Sequence, residues 1–220
     1  MTTSLVAPEL QNLSSVKSRI DSEIDSLIAA LPEPNDLTPE QRRGIIARYS
    51  AVLEGNFIYW MTATYLSVQS EAARPILIDN LREEISDCHP EMLRRFAIAA
   101  HAYPTDRDAM AVRDGLTKVR TFLGRLQGVK NVLTMGFFES YIQRFMSYLA
   151  ELAVAQGSEE LEYTDVHGVC DIAHSEGLLL AFVAEAAINP PDSDLFEGVN
   201  KLRDLIQTIN GYGNAAILAA

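Results

Sequence analysis

One unbroken stretch near the C-terminal end constrains the fold most, because it places three polar groups on one helical face. No proline and no pair of glycines interrupts residues 159–187, which favours a single long helix. Residues separated by three, four and seven positions share a helical face, so His167, Asp171 and His174 project in the same direction. Leu178 follows on that face, which indicates that it points into a core.

An inward column of imidazole, carboxylate and imidazole needs partners. Burial of such groups costs several kcal/mol unless they are paired or bound to a metal. A divalent transition metal of the iron, manganese or zinc type accepts this combination of ligands. The alternative is a self-contained hydrogen-bond network, and we prefer a metal because three titratable groups ahead of Leu178 are difficult to bury otherwise. Cys170, between them, is predicted to be a small packed thiol.

Composition limits the class of protein. The chain has 220 residues, of which 48% are hydrophobic and 22% charged, and we expect residues 1–220 to form one domain. A formal net charge of −12 argues against nucleic acid and anionic membranes as partners. We find no signal peptide and no apolar run that approaches the length of a membrane span. Two cysteines do not indicate a disulfide framework, so a reducing cytoplasm is the expected location.

Helical patterns cover most of the chain, and no convincing alternating strand pattern occurs. The predicted helices span residues 10–31, 38–67, 74–86, 90–103, 105–124, 130–156, 159–187 and 194–210. The segment Thr38-Pro-Glu-Gln41 has the pattern of a capping box with proline at the first helical position, a strong signal for a helix start. The fold class predicted is therefore an all-α bundle of about seven or eight helices. The packing of the tail from Gly211 onward stays open.

Carboxylates on other apolar faces could complete a metal site. Glu139 is the only charged residue on its helical face, and Glu54 lies in a mostly apolar stripe. Glu84 shares a face with leucines, whereas Glu83 points away from that face, so we prefer Glu84 and keep Glu83 as its rival. His89 follows at the break before a proline, where it could instead cap the helix. Taken singly, Glu54 and Glu84 are better explained as solvated or ion-paired side chains than as ligands. Together these residues form the carboxylate-rich set that two iron ions share.

With these residues in order, the chain resembles the haem-oxygenase-like diiron oxidases, non-haem iron enzymes built on the helical bundle of haem oxygenase and the TenA thiaminases. The most specific match is the His-x3-Asp-x2-His motif at His167, Asp171 and His174. The resemblance covers about residues 38–190. The metal ligands that it implies are Glu54, Glu84, His89, Glu139, His167, Asp171 and His174. Asn80 and Tyr163, each one turn before one of these ligands, are candidates to orient them.

The resemblance also implies an activity. It implies an oxidase or oxygenase with two iron ions as cofactor, dioxygen as co-substrate, an external electron donor and a peroxide-bridged diferric intermediate. We expect a small carboxylate substrate, an amino acid or a derivative of one, whose C–C or C–N bond is oxidised in natural-product biosynthesis. A substrate carboxylate would favour an arginine partner. The candidates are Arg43, Arg48, Arg94, Arg95 and Arg113.

Several alternatives stay open. Within the same family, the substrate could be a medium-chain fatty acid that undergoes oxidative decarboxylation. From other classes, a metal-free TenA-like hydrolase and a non-catalytic helical binding protein are the alternatives, and a homodimer is compatible with each. Haem oxygenase itself fits less well, because it needs an N-terminal proximal histidine and His89 is the first histidine here. Ferritin-like diiron proteins use paired Glu-x-x-His motifs, which this sequence does not contain.

Overall fold

The structure, a computed structural model, describes the backbone of residues 7–211 and the side chains of residues 14–211. Within this range the chain forms helices and no β-strand, which confirms the predicted all-α class. The tail beyond Gly211, whose packing the sequence does not predict, lies outside the described residues. The α-helices are α1 (Ala7–Ala29), α2 (Pro39–Leu53), α3 (Asn56–Ser67), α4 (Ala73–Ser86), α5 (His89–Ala99), α6 (Asp106–Leu123), α7 (Gly128–Ala155), α8 (Glu162–Ala186) and α9 (Glu197–Ile209).

The predicted helix over residues 38–67 is two helices, because the chain breaks at Glu54 and Gly55. The start of α2 is as predicted, since Thr38 and Gln41 form both hydrogen bonds of the capping box. Gly55 has a φ of +76°, in the left-handed region that glycine adopts without a steric cost. The prediction that Glu54 lies in an apolar stripe inside a helix is therefore wrong: its side chain is exposed at the end of α2.

The centre of the bundle is the pair of helices α7 and α8, which pack against each other more extensively than any other pair. Helix α7 is buried along most of its length and also contacts α1, α2, α3 and α9. Its aromatic side chains Phe137, Phe138 and Phe145 are almost fully buried. Because α7 is surrounded in this way, any charged side chain near its middle has to find partners inside the protein.

Helices α4 and α5 cover α8 on another side. The turn between them is made by Asp87 and Cys88, and Cys88 has a positive φ of 57°. This sharp turn places His89 at the first position of α5, where its side chain is buried. Consequently, residues at the end of α4 and the start of α5 both lie close to the inward face of α8.

By length and composition alone, α8 is long and apolar enough to cross a membrane. This finding corrects the expectation that no apolar run approaches that length. The same helix, however, buries His167, Asp171, His174 and Glu185 inside the bundle. Ionisable side chains are rare in membrane spans. We therefore interpret α8 as a helix of the bundle that buries one face and exposes apolar residues such as Val169 and Leu180 on the other, with a third of its apolar window buried.

A buried carboxylate at the start of α6 ties this helix to α2. Asp108 accepts hydrogen bonds from the backbone and the hydroxyl of Thr105, and it pairs with Arg43 at 2.9 Å. Burial raises the pKa of Asp108, but these hydrogen bonds and the Arg43 charge outweigh burial and hold the pKa below its ordinary value of 3.8. The ionised carboxylate is therefore favoured in the folded state more than in the unfolded state.

We expect the Asp108→Asn variant to be less stable than the wild type by about 1–2 kcal/mol at pH 7, because a capping bond and an ion pair are weakened. A lowered folded-state pKa contributes stability above the unfolded value and loses it as pH falls. The difference in the free energy of unfolding between the wild type and Asp108→Asn should therefore shrink as pH falls through 3.8 and below. Urea unfolding at several pH values measures this difference, and Asp106→Asn, which alters an exposed acid in the same turn, is the control. A difference that grows in acid would contradict the prediction.

Candidate metal centre

Three buried side chains from three helices meet in what we name the first cluster, formed by Glu84 of α4, His89 of α5 and His167 of α8. The Nδ1 atom of His89 lies 2.8 Å from Oε1 of Glu84, and Nε2 of His167 lies 3.9 Å from the same oxygen. The two imidazole rings are 4.4 Å apart between centroids. Their ligand atoms lie within 4.8 Å of one another. This is a donor set that iron, manganese or zinc accepts.

The second cluster is formed by three residues of α8, namely Cys170, Asp171 and His174. The Nδ1 atom of His174 lies 3.7 Å from Oδ1 of Asp171, too far for a hydrogen bond. The thiol of Cys170 lies 3.2 Å from the same Oδ1 atom. Asp171 is completely buried and His174 nearly so. The helical spacing that places His167 and His174 on one face therefore gives each imidazole to a different cluster.

Glu139 of α7 lies between the two clusters. It lines the same pocket as the first cluster, and its Oε1 atom is 4.0 Å from Nδ1 of His174 in the second. Its side chain is buried, on a face of α7 that also carries the buried residues Met135 and Ile142. Because a carboxylate has two oxygens, Glu139 could contact an ion in each cluster at the same time.

The outward nitrogen of each α8 histidine has a defined partner. Nδ1 of His167 lies 2.8 Å from the backbone carbonyl of Tyr163, which can only accept, so Nδ1 carries the hydrogen and Nε2 is left for a metal. Nε2 of His174 lies 3.1 Å from Oε2 of Glu83, which likewise leaves Nδ1 facing Asp171. Metal-bound histidines are typically held in this way. The structure thus separates the two rival glutamates: Glu84 belongs to the first cluster, and Glu83 contacts the outer side of His174.

Burial and mutual charge shift the pKa values of these groups. Burial raises the pKa of Glu139 well above its usual range, and the charges of Asp171, Glu84 and Glu83 raise it further. Burial also lowers the pKa of His167. For His174, burial acts to lower the pKa, but Asp171 and Glu83 outweigh it and raise the pKa to about 9. Protons held by Glu139 and His174 would be displaced by a bound cation, so metal binding should release protons.

The remaining pKa shifts follow the same rules. Burial acts to lower the pKa of His89, but its hydrogen bond to Glu84 and the nearby negative charges raise the pKa overall. Burial raises the pKa of the Cys170 thiol, and the charge and hydrogen bond of Asp171 raise it further. A divalent cation bound among these groups would offset most of the free-energy cost of burying their negative charges.

Buried polar atoms without partners test whether the site fits a metal. Within the part of the chain whose side chains are described, four of the predicted ligands bury one atom that has no hydrogen-bond partner. These atoms are Nε2 of His89, Oε1 of Glu139, Oδ2 of Asp171 and Nδ1 of His174. Such atoms cost about 1–3 kcal/mol each when left unsatisfied. Their concentration in one place fits residues that are arranged for metal ions.

The structure brings together six of the seven predicted ligands and leaves one outside. Glu54 is exposed, although its neighbours Leu53 and Phe57 line the pocket beside the first cluster. The helix break at Gly55 is the physical reason, because it ends α2 before the side chain of Glu54 can turn inward. The prediction of Glu54 as a ligand therefore has no geometric support here.

A narrow pocket lies beside the first cluster, with a cavity volume of about 20 Å³, enough for about one water molecule. Its polar lining consists of predicted ligands and Tyr163, and the rest of its wall is apolar. The lining residues are Leu53, Phe57, Ile58, Glu84, His89, Pro90, Leu93, Glu139, Ile142, Tyr163 and His167. This volume is far below the several hundred Å³ of sites that bind organic ligands, so the side chains around the pocket would have to move to admit one.

The five arginines considered for substrate binding are engaged elsewhere. Arg43 pairs with Asp108, and Arg48 donates to the carbonyl of Ile209 at the end of α9. The others contact Tyr103 (Arg94), Glu162 (Arg95) and Asp114 (Arg113). Among the described residues, no arginine or lysine lines the pocket.

The two residues predicted to orient ligands differ in their contacts. The carbonyl of Tyr163 holds His167, as described, and its phenol forms a 2.8 Å hydrogen bond with the phenol of Tyr49. Asn80 is buried, but its Nδ2 atom has no hydrogen-bond partner among the described residues and so does not donate to Glu84. Only Tyr163 is thus positioned as the sequence pattern suggested.

Sequence reasoning kept Glu83 only as a rival of Glu84, and it missed one buried carboxylate. Although Glu83 was expected to point away from the leucine face, it reaches His174 from α4. Glu185 lies seven positions after Leu178 on the inward face of α8 and is fully buried. Its carboxylate accepts from the backbone N–H groups of Gln69 and Ser70, which holds the loop between α3 and α4.

No protein-family model matches the chain, and no curated protein sequence matches it either. Functional interpretation therefore rests on the two clusters, the pocket and the residues that surround them.

Proposed function

We propose that this chain is an oxygen-dependent non-haem diiron oxidase or oxygenase of the haem-oxygenase-like kind. The observation that carries the proposal is the meeting of five predicted ligands in two clusters, with the sixth, Glu139, between them and four buried atoms without partners. Three carboxylates and three imidazoles are more than one closed metal site uses. Two ferrous ions held there would supply electrons and open positions for dioxygen.

The residues of the chain have distinct tasks in this proposal. Glu84, His89 and His167 would hold the ion that faces the pocket, and Asp171 with His174 would hold the other. The carbonyl of Tyr163 keeps the hydrogen of His167 on Nδ1, and Glu83 keeps a hydrogen of His174 on Nε2, so the opposite nitrogens face inward. The apolar pocket wall would exclude water from a substrate beside the first cluster.

The proposed substrate is a small carboxylate, an amino acid or a derivative of one, that enters the pocket beside the first cluster. A second candidate is a medium-chain fatty acid, and a specific observation favours it. Apart from the predicted ligands and Tyr163, the described pocket wall is apolar, and no arginine or lysine lines it. If the pocket widens, this part of the wall suits an aliphatic chain better than a charged amino group, whereas the carboxylate would have to be bound at the iron ions.

The decisive experiment is metal content. Protein reconstituted anaerobically with ferrous iron and then desalted should retain about two equivalents per chain, because the six residues offer ligands for two ions. We expect His89→Ala and His174→Ala each to retain about one equivalent, since each removes a ligand from a different cluster. Elemental analysis with protein quantification measures all three.

The control for this experiment is Glu54→Gln, which changes an exposed side chain and should retain the wild-type metal content. Wild-type iron content near zero would contradict the proposal and favour a metal-free hydrolase or a binding protein. With iron present, oxygen uptake screened with amino acids and with medium-chain fatty acids distinguishes the two substrate classes. Stimulation by fatty acids alone would exclude the amino acid.

A further inference from the structure

Cys170 contacts a metal-site carboxylate from the side. Its Sγ atom lies 3.2 Å from Oδ1 of Asp171, within the distance of a hydrogen bond donated by a thiol. The other oxygen, Oδ2, is buried and has no hydrogen-bond partner in the described part of the chain. The nearby Nδ1 atom of His174 is also without a partner. The two atoms without partners thus belong to Asp171 and His174, the other two residues of the second cluster.

We propose that Cys170 is a positioning residue for Asp171: its S–H group donates to Oδ1 and fixes the carboxylate, while Oδ2, which has no protein partner, stays available to a metal ion. This inference rests on the proposed function and extends it to a residue outside the predicted ligand set. A carboxylate held at one oxygen loses rotational freedom before metal binding, so less entropy is lost when the ion binds.

Helix geometry explains why Cys170 supports the carboxylate and does not join the ligand column. Consecutive residues of an α-helix are rotated by roughly 100° around the axis, so Cys170 cannot share the inward face of Asp171. Cys170 is accordingly half-buried, whereas Asp171 is fully buried. Its thiol therefore reaches the carboxylate oxygen laterally, which is the approach of a hydrogen-bond donor.

The test is a cobalt(II) titration of the whole chain under anaerobic conditions, followed by calorimetry and absorption spectroscopy. Cys170→Ala removes the donor and should weaken cobalt binding by about tenfold. Cys170→Ser restores an O–H donor and should bind cobalt within about threefold of the wild type. Cys88→Ser changes the exposed cysteine and should leave binding unchanged. Wild-type protein should show no near-ultraviolet band from a thiolate bound to cobalt.

Each contrary result has a defined meaning. Equal cobalt affinity of Cys170→Ala and the wild type would overturn this inference alone. A thiolate-to-cobalt band that disappears in Cys170→Ser would also overturn it, because Cys170 would then be a ligand. Wild-type protein that binds no cobalt would overturn the proposed function and this inference with it. Circular dichroism confirms that the variants are folded.

Discussion

The Glu139→Ala variant is expected to lose both metal ions and, with them, oxygen-dependent turnover. Glu139 is the one described side chain that lines the pocket with the first cluster and also lies 4.0 Å from His174 of the second. Its removal therefore weakens both metal positions, whereas removal of His89 or His174 affects one. The loss of activity should exceed the roughly 10- to 100-fold that the loss of an outer partner costs.

The same variant should remain folded without metal. Burial and the charges of Asp171, Glu84 and Glu83 raise the pKa of Glu139, which shows that its carboxylate is unfavourable in the metal-free bundle. Replacing it should leave the metal-free melting temperature unchanged or higher. Thermal melting by circular dichroism, iron analysis and oxygen uptake together measure these effects. The Asp171→Ala variant should behave similarly but retain the first ion.

Glu139→Gln is the matched control, because it keeps the shape of the side chain and removes only its charge. We expect it to fold like the wild type and to bind iron poorly. If Glu139→Ala instead unfolded the metal-free protein, Glu139 would be a structural partner of buried cations, and the proposed role as a shared ligand would be wrong.

Gly198→Ala should cause the largest loss of stability among the glycine-to-alanine substitutions within helices of the described chain. An added Cβ atom at Gly198 of α9 would overlap with Thr134 of α7 and with the ring of Phe122 of α6. Both neighbours are buried, so neither can move away easily. We expect a loss of about 3 kcal/mol in the free energy of unfolding, at the upper end for an overpacked core.

Gly168→Ala in α8 is the control for this substitution. An added Cβ atom there would meet only Met146, at 3.9 Å, which is an ordinary contact. Since alanine has a higher helix propensity than glycine, this variant should gain about 0.5–1 kcal/mol. Urea unfolding of both variants measures the difference, and a small effect of Gly198→Ala would show that α9 can shift away from α7.

Local patterns predicted the helices well because helix caps, and the prolines and glycines that end helices, act over only a few residues. The capping boxes at Thr38 and Thr105 both occur where helices begin. The one clear error, a continuous helix through Gly55, has a physical cause. A glycine inside an apolar helical pattern is compatible with both a continuous helix and a break, and packing of α3 against α4 and α7 selects the break.

Some features of the site were determined by the sequence alone. The period of the α-helix places His167, Asp171 and His174 on one face whatever surrounds them, and a lone charge on an apolar face made Glu139 a candidate ligand. The tertiary structure decided which cluster each residue joins, because that depends on how α4, α5 and α7 lie against α8. Adjacent residues such as Glu83 and Glu84 have the same local pattern, and only the packing of α4 places one beside His174 and the other beside His89.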